Sequence, residues 1–284
     1  MSEAMPFPVQ QESTKIGHHM NREIAMTNVG VNKDHWRRYH LVSPLFEDGD
    51  YAYVPIPEEG YDAYPQCPLL PSYRELFRDN PRVLAIIREA YQGTRVHNDP
   101  EFKTYTYGDN PYLREGRGRA GILTQLREGD LLFFFGRLTR IRGGSLTNEA
   151  GLFFFGFFEI QEIEPEVVSS SSKLLQVYGN NAHVKRGIAN PKYFNRFLVC
   201  KGSENSLYFT APVPFNQEVT TRIVKFDRHG RKFVWSEENG RFRIQQGGRT
   251  RSCRFVNGGD EAKKVLLRHV LRFNEVPLFR QLLA

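Results

Sequence analysis

Three side chains that can transfer protons or ligate metals alternate in His97-Asn98-Asp99-Pro100-Glu101. In an extended segment His97, Asp99 and Glu101 point to one side. Converging imidazole and carboxylates suit general acid–base chemistry or a divalent cation. Pro100 fixes a backbone dihedral and stiffens the loop. The plainer reading has Asp99 capping a turn and His97 in a structural hydrogen bond. The run continues as Thr104-Tyr105-Thr106-Tyr107-Gly108-Asp109. Hydroxyls fall on one face, and Tyr105, Tyr107 and Asp109 on the other, where a base or sugar could stack on a ring. An ordinary strand with tyrosines at a core rim has the same pattern.

Arg114, Arg117 and Arg119 follow, interleaved with Gly116 and Gly118. Guanidinium forks and glycine-loop N–H groups both suit phosphate oxygens. No GxxxxGK[ST] run accompanies them, so no P-loop is implied. A second constellation is Asn181-Ala182-His183-Val184-Lys185-Arg186. An imidazole beside an amide and two cations suits an anion or a base edge, and a structural histidine is the alternative. The expected catalytic set is therefore His97, Asp99, Glu101 and His183. The expected ligand-binding set is Tyr105, Tyr107, Asp109, Arg114, Arg117, Arg119, Asn181 and Arg186. The sequence names no cofactor and no particular metal. Arg241, Arg243, Arg249, Arg251 and Arg254 add a possible phosphate stripe, or a solvated sheet face. No G-x-S-x-G elbow, Ser-His-Asp order or G-x-G-x-x-G fingerprint appears, which leaves serine hydrolase and Rossmann readings unsupported.

The elements that must position these groups are mostly extended. Glu23–Val31 reads as a first strand. Asp130–Leu138 and Leu152–Ile163 read as paired apolar strands joined by a loop over Arg140–Gly151. Their continuous apolarity predicts burial on both faces or the lining of a closed barrel. Short helices are predicted at Ser72–Phe77 with a Ser72 cap, and at Pro81–Tyr91 with Asn80 as cap and Gly93 as stop. Gly118–Leu126 is a further short helix, and Asp260–His269 a longer one. Further strands are expected at Phe197–Cys200, Ser206–Thr210, Arg222–Phe226, Lys232–Trp235 and Arg241–Gln245. The four serines within Glu164–Ser172 read as a flexible linker.

Composition bounds the class. The chain has 284 residues, with 40% hydrophobic and 25% charged side chains, and 22 Phe and 13 Tyr against four Met. This is a globular composition rich in strand-forming aromatics. The formal charge of +7 permits a nucleic-acid partner without requiring one. Cys67, Cys200 and Cys253 form no CxxC pair, so neither a zinc knuckle nor a disulfide framework is expected, and a reducing, cytoplasmic compartment fits. The apolar runs fall far short of a membrane helix, and the polar opening residues carry no secretory pattern.

The ordered motifs resemble a known family. Asn28-Val-Gly-Val-Asn32, SPLFEDGDYAYVPIPE from Ser43, HNDPEF with TYTYGD, GDLLFFFG, GLFFFGFFEI and Asn181-Ala-His183 look like the third class of nucleotide modification-associated domain. The resemblance runs from about Ile24 to Ala211. It implies a link to DNA or nucleotide modification and to the conflict systems of prokaryotes and phages. The insertion Asn32–His40, NKDHWRRYH, departs from the pattern. The GD-strand, loop, strand element also resembles EVE and other PUA-like domains, small barrels that bind nucleic acids. The expectation is thus a polar N-terminal tail over residues 1–22 and one α+β domain over 23–284. Its sheet would be mainly antiparallel and barrel-like, with peripheral helices. Its expected role is to bind a nucleotide or nucleic acid and recognise a modified base in a polar-aromatic pocket. The alternatives are an enzyme acting on a modified nucleotide by His/carboxylate chemistry, or a protein-interaction scaffold within a modification or defence system.

Overall fold

A computed structural model describes residues 22–31, 35, 38–58, 67–112, 121–225, 236–238, 241–243 and 254–284. The strands are β1 (Ile24–Asn28), β2 (Ser43–Leu45), β3 (Ile56–Pro57), β4 (Val96–His97), β5 (Thr106–Asp109), β6 (Leu131–Arg142), β7 (Ser145–Val167), β8 (Phe197–Gly202), β9 (Leu207–Pro214), β10 (Ser236–Glu238), β11 (Arg241–Arg243) and β12 (Arg254–Phe255). Eight of them form one sheet. Its main path is β12-β1-β6-β7-β8-β5, with β2 added to β6 and β9 added to β7.

The spine is the β6–β7 hairpin. The two strands run past the predicted loop and turn through Gly143-Gly144 alone, with Arg142 opposite Ser145. Both glycines have positive φ, 53° and 74°, as a tight hairpin turn of the strands' own twist requires. Each spine strand is long enough to take two partners end to end along its outer edge. β6 pairs β1 and then β2, and β7 pairs β9 and then β8.

This architecture corrects the expected barrel. β1 and β2 run parallel to β6, so the sheet is mixed. Its edge strands β12 and β5 do not pair, so it stays open. Apolar runs like Leu131–Phe135 arise equally in a closed barrel and in a sheet covered on both faces, and here it is the second. Leu131, Phe133, Phe135, Phe154 and Phe157 pack on one face against helices Gln217–Ile223, Gly259–Val270 and Pro277–Leu283. Leu132, Phe134, Phe155, Phe158 and Ile160 pack on the other face with Tyr51, Tyr53, Tyr107 and Leu123.

Several local readings change for identifiable reasons. Gln217–Ile223 is a helix, not the strand read over Arg222–Phe226; Asn216 caps it by accepting from the Val219 N–H at 3.1 Å. Its Val219, Thr220 and Ile223 are buried on one side, a helical spacing hidden under β-branched residues. The helix predicted over Pro81–Tyr91 divides into Pro81–Ile86 and Glu89–Gln92, because Ile87 is extended. The Gln92 amide donates to the carbonyls of Leu84 and Ile87 across this break. The serine-rich stretch is no linker: β7 continues to Val167, and Ser171 caps the helix Ser172–Tyr178 through the Leu174 N–H. The expected N-terminal tail up to Asn21, the strand Lys232–Trp235 and the arginines 249 and 251 lie outside the described residues. No helix among the described residues is long and apolar enough to cross a membrane.

Candidate functional site

The site forms where three short pieces of chain meet at the β5–β8 edge of the sheet. The first is the β3–β4 ribbon, in which Ile56 pairs with His97. Directly after β3, the Glu58 N–H donates to the Arg95 carbonyl at 2.8 Å, which sets Glu58 beside His97. The second piece is the bend after β4, carrying Asp99. The third is the helix Ala182–Ala189, whose N-cap is Asn181.

Asp99 is the common anchor. Its side chain is 2% exposed. The Gly108 N–H of β5 donates to both its oxygens, at 3.1 and 3.0 Å. The Asn181 amide donates to Oδ1 at 3.2 Å, while Asn181 Oδ1 accepts from the His183 N–H at 2.9 Å. One asparagine thus caps the helix and ties its first turn to the carboxylate. The Tyr53 hydroxyl donates to the Asp99 carbonyl at 2.7 Å and fixes the bend from the core side.

Two histidines converge on this carboxylate. His97 Nε2 and His183 Nε2 are 3.2 Å apart, with the rings edge to face. Asp99 Oδ2 lies 3.4 Å from His183 Nε2 and 3.9 Å from His97 Nε2. On the far side of the His97 ring, Glu58 Oε2 lies 3.3 Å from Nδ1. Glu58 Oε1 pairs with Arg186 Nε at 2.8 Å. The Arg186 guanidinium also sits over the Tyr193 ring, 4.7 Å from its centroid.

Burial and charge oppose each other here. Burial pushes the Asp99 carboxyl up, and the His183 hydrogen bond, the two imidazoles and the Gly108 N–H only partly offset it. Burial also pushes Glu58 up, but contact with His97 and the charges of Arg186 and His183 outweigh it and hold that carboxyl below its usual range. The Cys200 thiol is fully buried nearby and is held well above its ordinary value by burial and by the Asp99 charge, which leaves it a packing residue, not a nucleophile.

The structure therefore brings together His97, Asp99, His183, Asn181 and Arg186. It directs the other predicted residues elsewhere. His97, Asp99 and Glu101 do not share a face of one extended segment, because β4 ends at His97 and the Asp99–Pro100 peptide is cis. Glu101 accepts from the Lys103 and Thr104 N–H groups at 2.7 and 2.9 Å and from the Thr104 hydroxyl, closing a local turn. Tyr107 is buried against Phe134, with its hydroxyl 3.1 Å from Asp109 Oδ2. Asp109 also accepts from the Asn110 N–H at 2.7 Å. Tyr105 packs edge-on to Phe158. Arg114, Arg117 and Arg119 lie outside the described residues. Glu58 is the site residue that the sequence reading passed over. Its only signal was its place at the end of the SPLFEDGDYAYVPIPE motif, with no histidine near it in sequence.

Comparison with curated proteins and with solved structures finds no significant match. The family comparison does: the sequence model described as nucleotide modification associated domain 3 matches residues 23–252. That span extends beyond Ala211 through β9 and the helix Gln217–Ile223, and it contains every residue of the cluster. With most of its length matched and the cluster inside that span, the chain belongs to the nucleotide modification associated domain 3 family.

Proposed function

We propose that this chain is an enzyme of a nucleotide-modification system, acting on a nucleotide or nucleic acid at the His97–Asp99–His183 cluster. The observation that carries this reading is the convergence of two imidazoles and a buried carboxylate from separate segments of chain. Perturbed carboxyls on either side of a histidine pair are what acid–base chemistry requires. Glu58, at ion-pair distance from Nδ1, favours the His97 tautomer whose Nε2 lone pair faces the cluster. Arg186, held at Glu58, supplies the cation beside which a substrate phosphate would bind. The reader alternative would need an aromatic cage, and Tyr107 is committed to the core instead.

The test is a panel of ordinary and modified nucleotides and DNA, with products followed by mass spectrometry. His97→Gln keeps hydrogen-bonding capacity but removes the imidazole lone pair at Nε2. It should preserve substrate affinity while lowering turnover about a hundredfold or more. Binding without turnover by the parent, with affinity lost in the variant, would make this a reader and overturn the enzyme reading.

A further inference from the structure

We propose that His97 Nε2, His183 Nε2 and Asp99 Oδ2 bind one divalent transition-metal ion. This names a cofactor for the reaction centre proposed above, and rests on that reading only for the ion's catalytic use.

The donor geometry is the first argument. Ligands held about 2.0–2.1 Å from one ion in tetrahedral directions lie about 3.3 Å from each other. The three donor atoms here are 3.2, 3.4 and 3.9 Å apart. Two edges already fit, and only the His97–Asp99 edge has to shorten.

The surroundings of His97 and Asp99 are the second. A ligating histidine characteristically has its other ring nitrogen on a carboxylate, which fixes the tautomer and aims the lone pair. Glu58 Oε2 stands at ion-pair distance from His97 Nδ1, 3.3 Å, without a well-aligned hydrogen bond, and Glu58 Oε1 pairs with Arg186 in turn. A ligating carboxylate is likewise held by hydrogen bonds. Asp99 receives them from Gly108 and Asn181, and Oδ2 also turns towards the histidines.

Charge is the third. Asp99 is almost wholly shielded from water, and its described neighbours supply hydrogen bonds, while Arg186 pairs with Glu58 instead. A divalent ion would compensate the buried charge directly. The histidine side chains are 12% and 20% exposed, so the cluster keeps some access to solvent. Three protein ligands with an open side are the arrangement of catalytic rather than structural metal sites. Two imidazoles with one carboxylate select zinc, iron, cobalt, nickel or manganese over calcium and magnesium, which take all-oxygen shells.

The experiment uses the full chain, stripped with a chelator and then titrated with Co2+ and Zn2+. One equivalent should bind, with a Co2+ visible spectrum of low coordination number and displacement by Zn2+. His97→Gln and His183→Gln should each weaken binding at least tenfold, and Glu58→Gln about ten- to hundredfold. Should a variant fail to fold, histidine-ring NMR of the unsubstituted protein takes its place. Zn2+ should then shift the His97 and His183 ring resonances together. Failure to bind stoichiometrically, or equal binding by folded His97→Gln and His183→Gln chains, would overturn the site. Binding without turnover on any nucleotide would retain the metal and sink the enzyme reading. Turnover by metal-free protein in excess chelator would do the reverse.

Discussion

His97 and His183 meet Nε2 to Nε2 at 3.2 Å across 86 residues of chain. Each is delivered by a different part of the frame. His97 is delivered by the β3–β4 ribbon, and His183 by the second position of a helix whose cap, Asn181, is bonded to Asp99. The pair therefore reports on the whole frame: a shift of the ribbon, the helix or β5 against one another would separate them.

Phe155 links that frame to the core. It is fully buried, and the Tyr53 ring stacks on it at 4.8 Å while the Tyr53 hydroxyl holds the Asp99 carbonyl. Phe155→Ala should cost about 3–5 kcal/mol in denaturant unfolding. It should also weaken ligand or metal binding at the cluster, through Tyr53. A variant melting like the parent would show that this face of the spine is not packed as described.

The two site carboxyls predict opposite pH dependences in chelator-treated protein. Glu58 is held below its ordinary value of 4.5, so its stabilising contribution is complete above that pH and is lost as pH falls through the lower folded value. The stability gap between parent and Glu58→Gln should therefore narrow in acid. Asp99 is raised above its ordinary 3.8, so its contribution is complete below that pH and declines as pH rises through the folded value. The gap between parent and Asp99→Asn should narrow in the other direction. Denaturant titrations at a series of pH values separate the two, and gaps that move together would contradict the assigned environments.

The formal charge of +7 motivates a third measurement. If the substrate is a nucleic-acid polymer, binding of labelled single- or double-stranded oligonucleotides should weaken steeply with salt as condensed counterions are released. Undetectable binding at low salt would leave free nucleotides as the substrate class.

The cluster was more legible in sequence than the sheet that carries it. His97, Asp99 and His183 announce themselves by residue type, and Pro100 and the Asn181 cap mark bends. The barrel reading failed on β1 and β2, whose direction against β6 is invisible to apolar pattern. Alternation misled at Glu101, since it presumes an extended segment and the chain bends between Asp99 and the Glu101 turn. Tyr107 has the composition of a stacking platform, yet its ring faces Phe134 because β5 pairs with β8 at the sheet edge. Glu58 could not be assigned without the β3–β4 pairing that sets it beside His97.

Gly108 offers the most local test of the frame. Its N–H holds both Asp99 oxygens, and the side chains of His183 and its cap Asn181 lie against its α-carbon. A methyl group there would lie 2.8 Å from His183 Cδ2, 3.0 Å from Asn181 Oδ1 and 3.2 Å from Val199 Cγ1. The 2.8 Å approach is the one that cannot stand, and it falls on the imidazole, so the His183 ring must move. Gly108→Ala should cost about 1–3 kcal/mol in overpacking. The displaced His183 ring should lose its meeting with His97, so binding and turnover should fall far more than global stability. Circular dichroism and a denaturant melt would establish that the variant folds, and the same preparation would be assayed for metal and nucleotide binding. A folded Gly108→Ala chain with parental binding would show that His183 does not act from the position described, and that the Asp99 cradle tolerates what its geometry excludes.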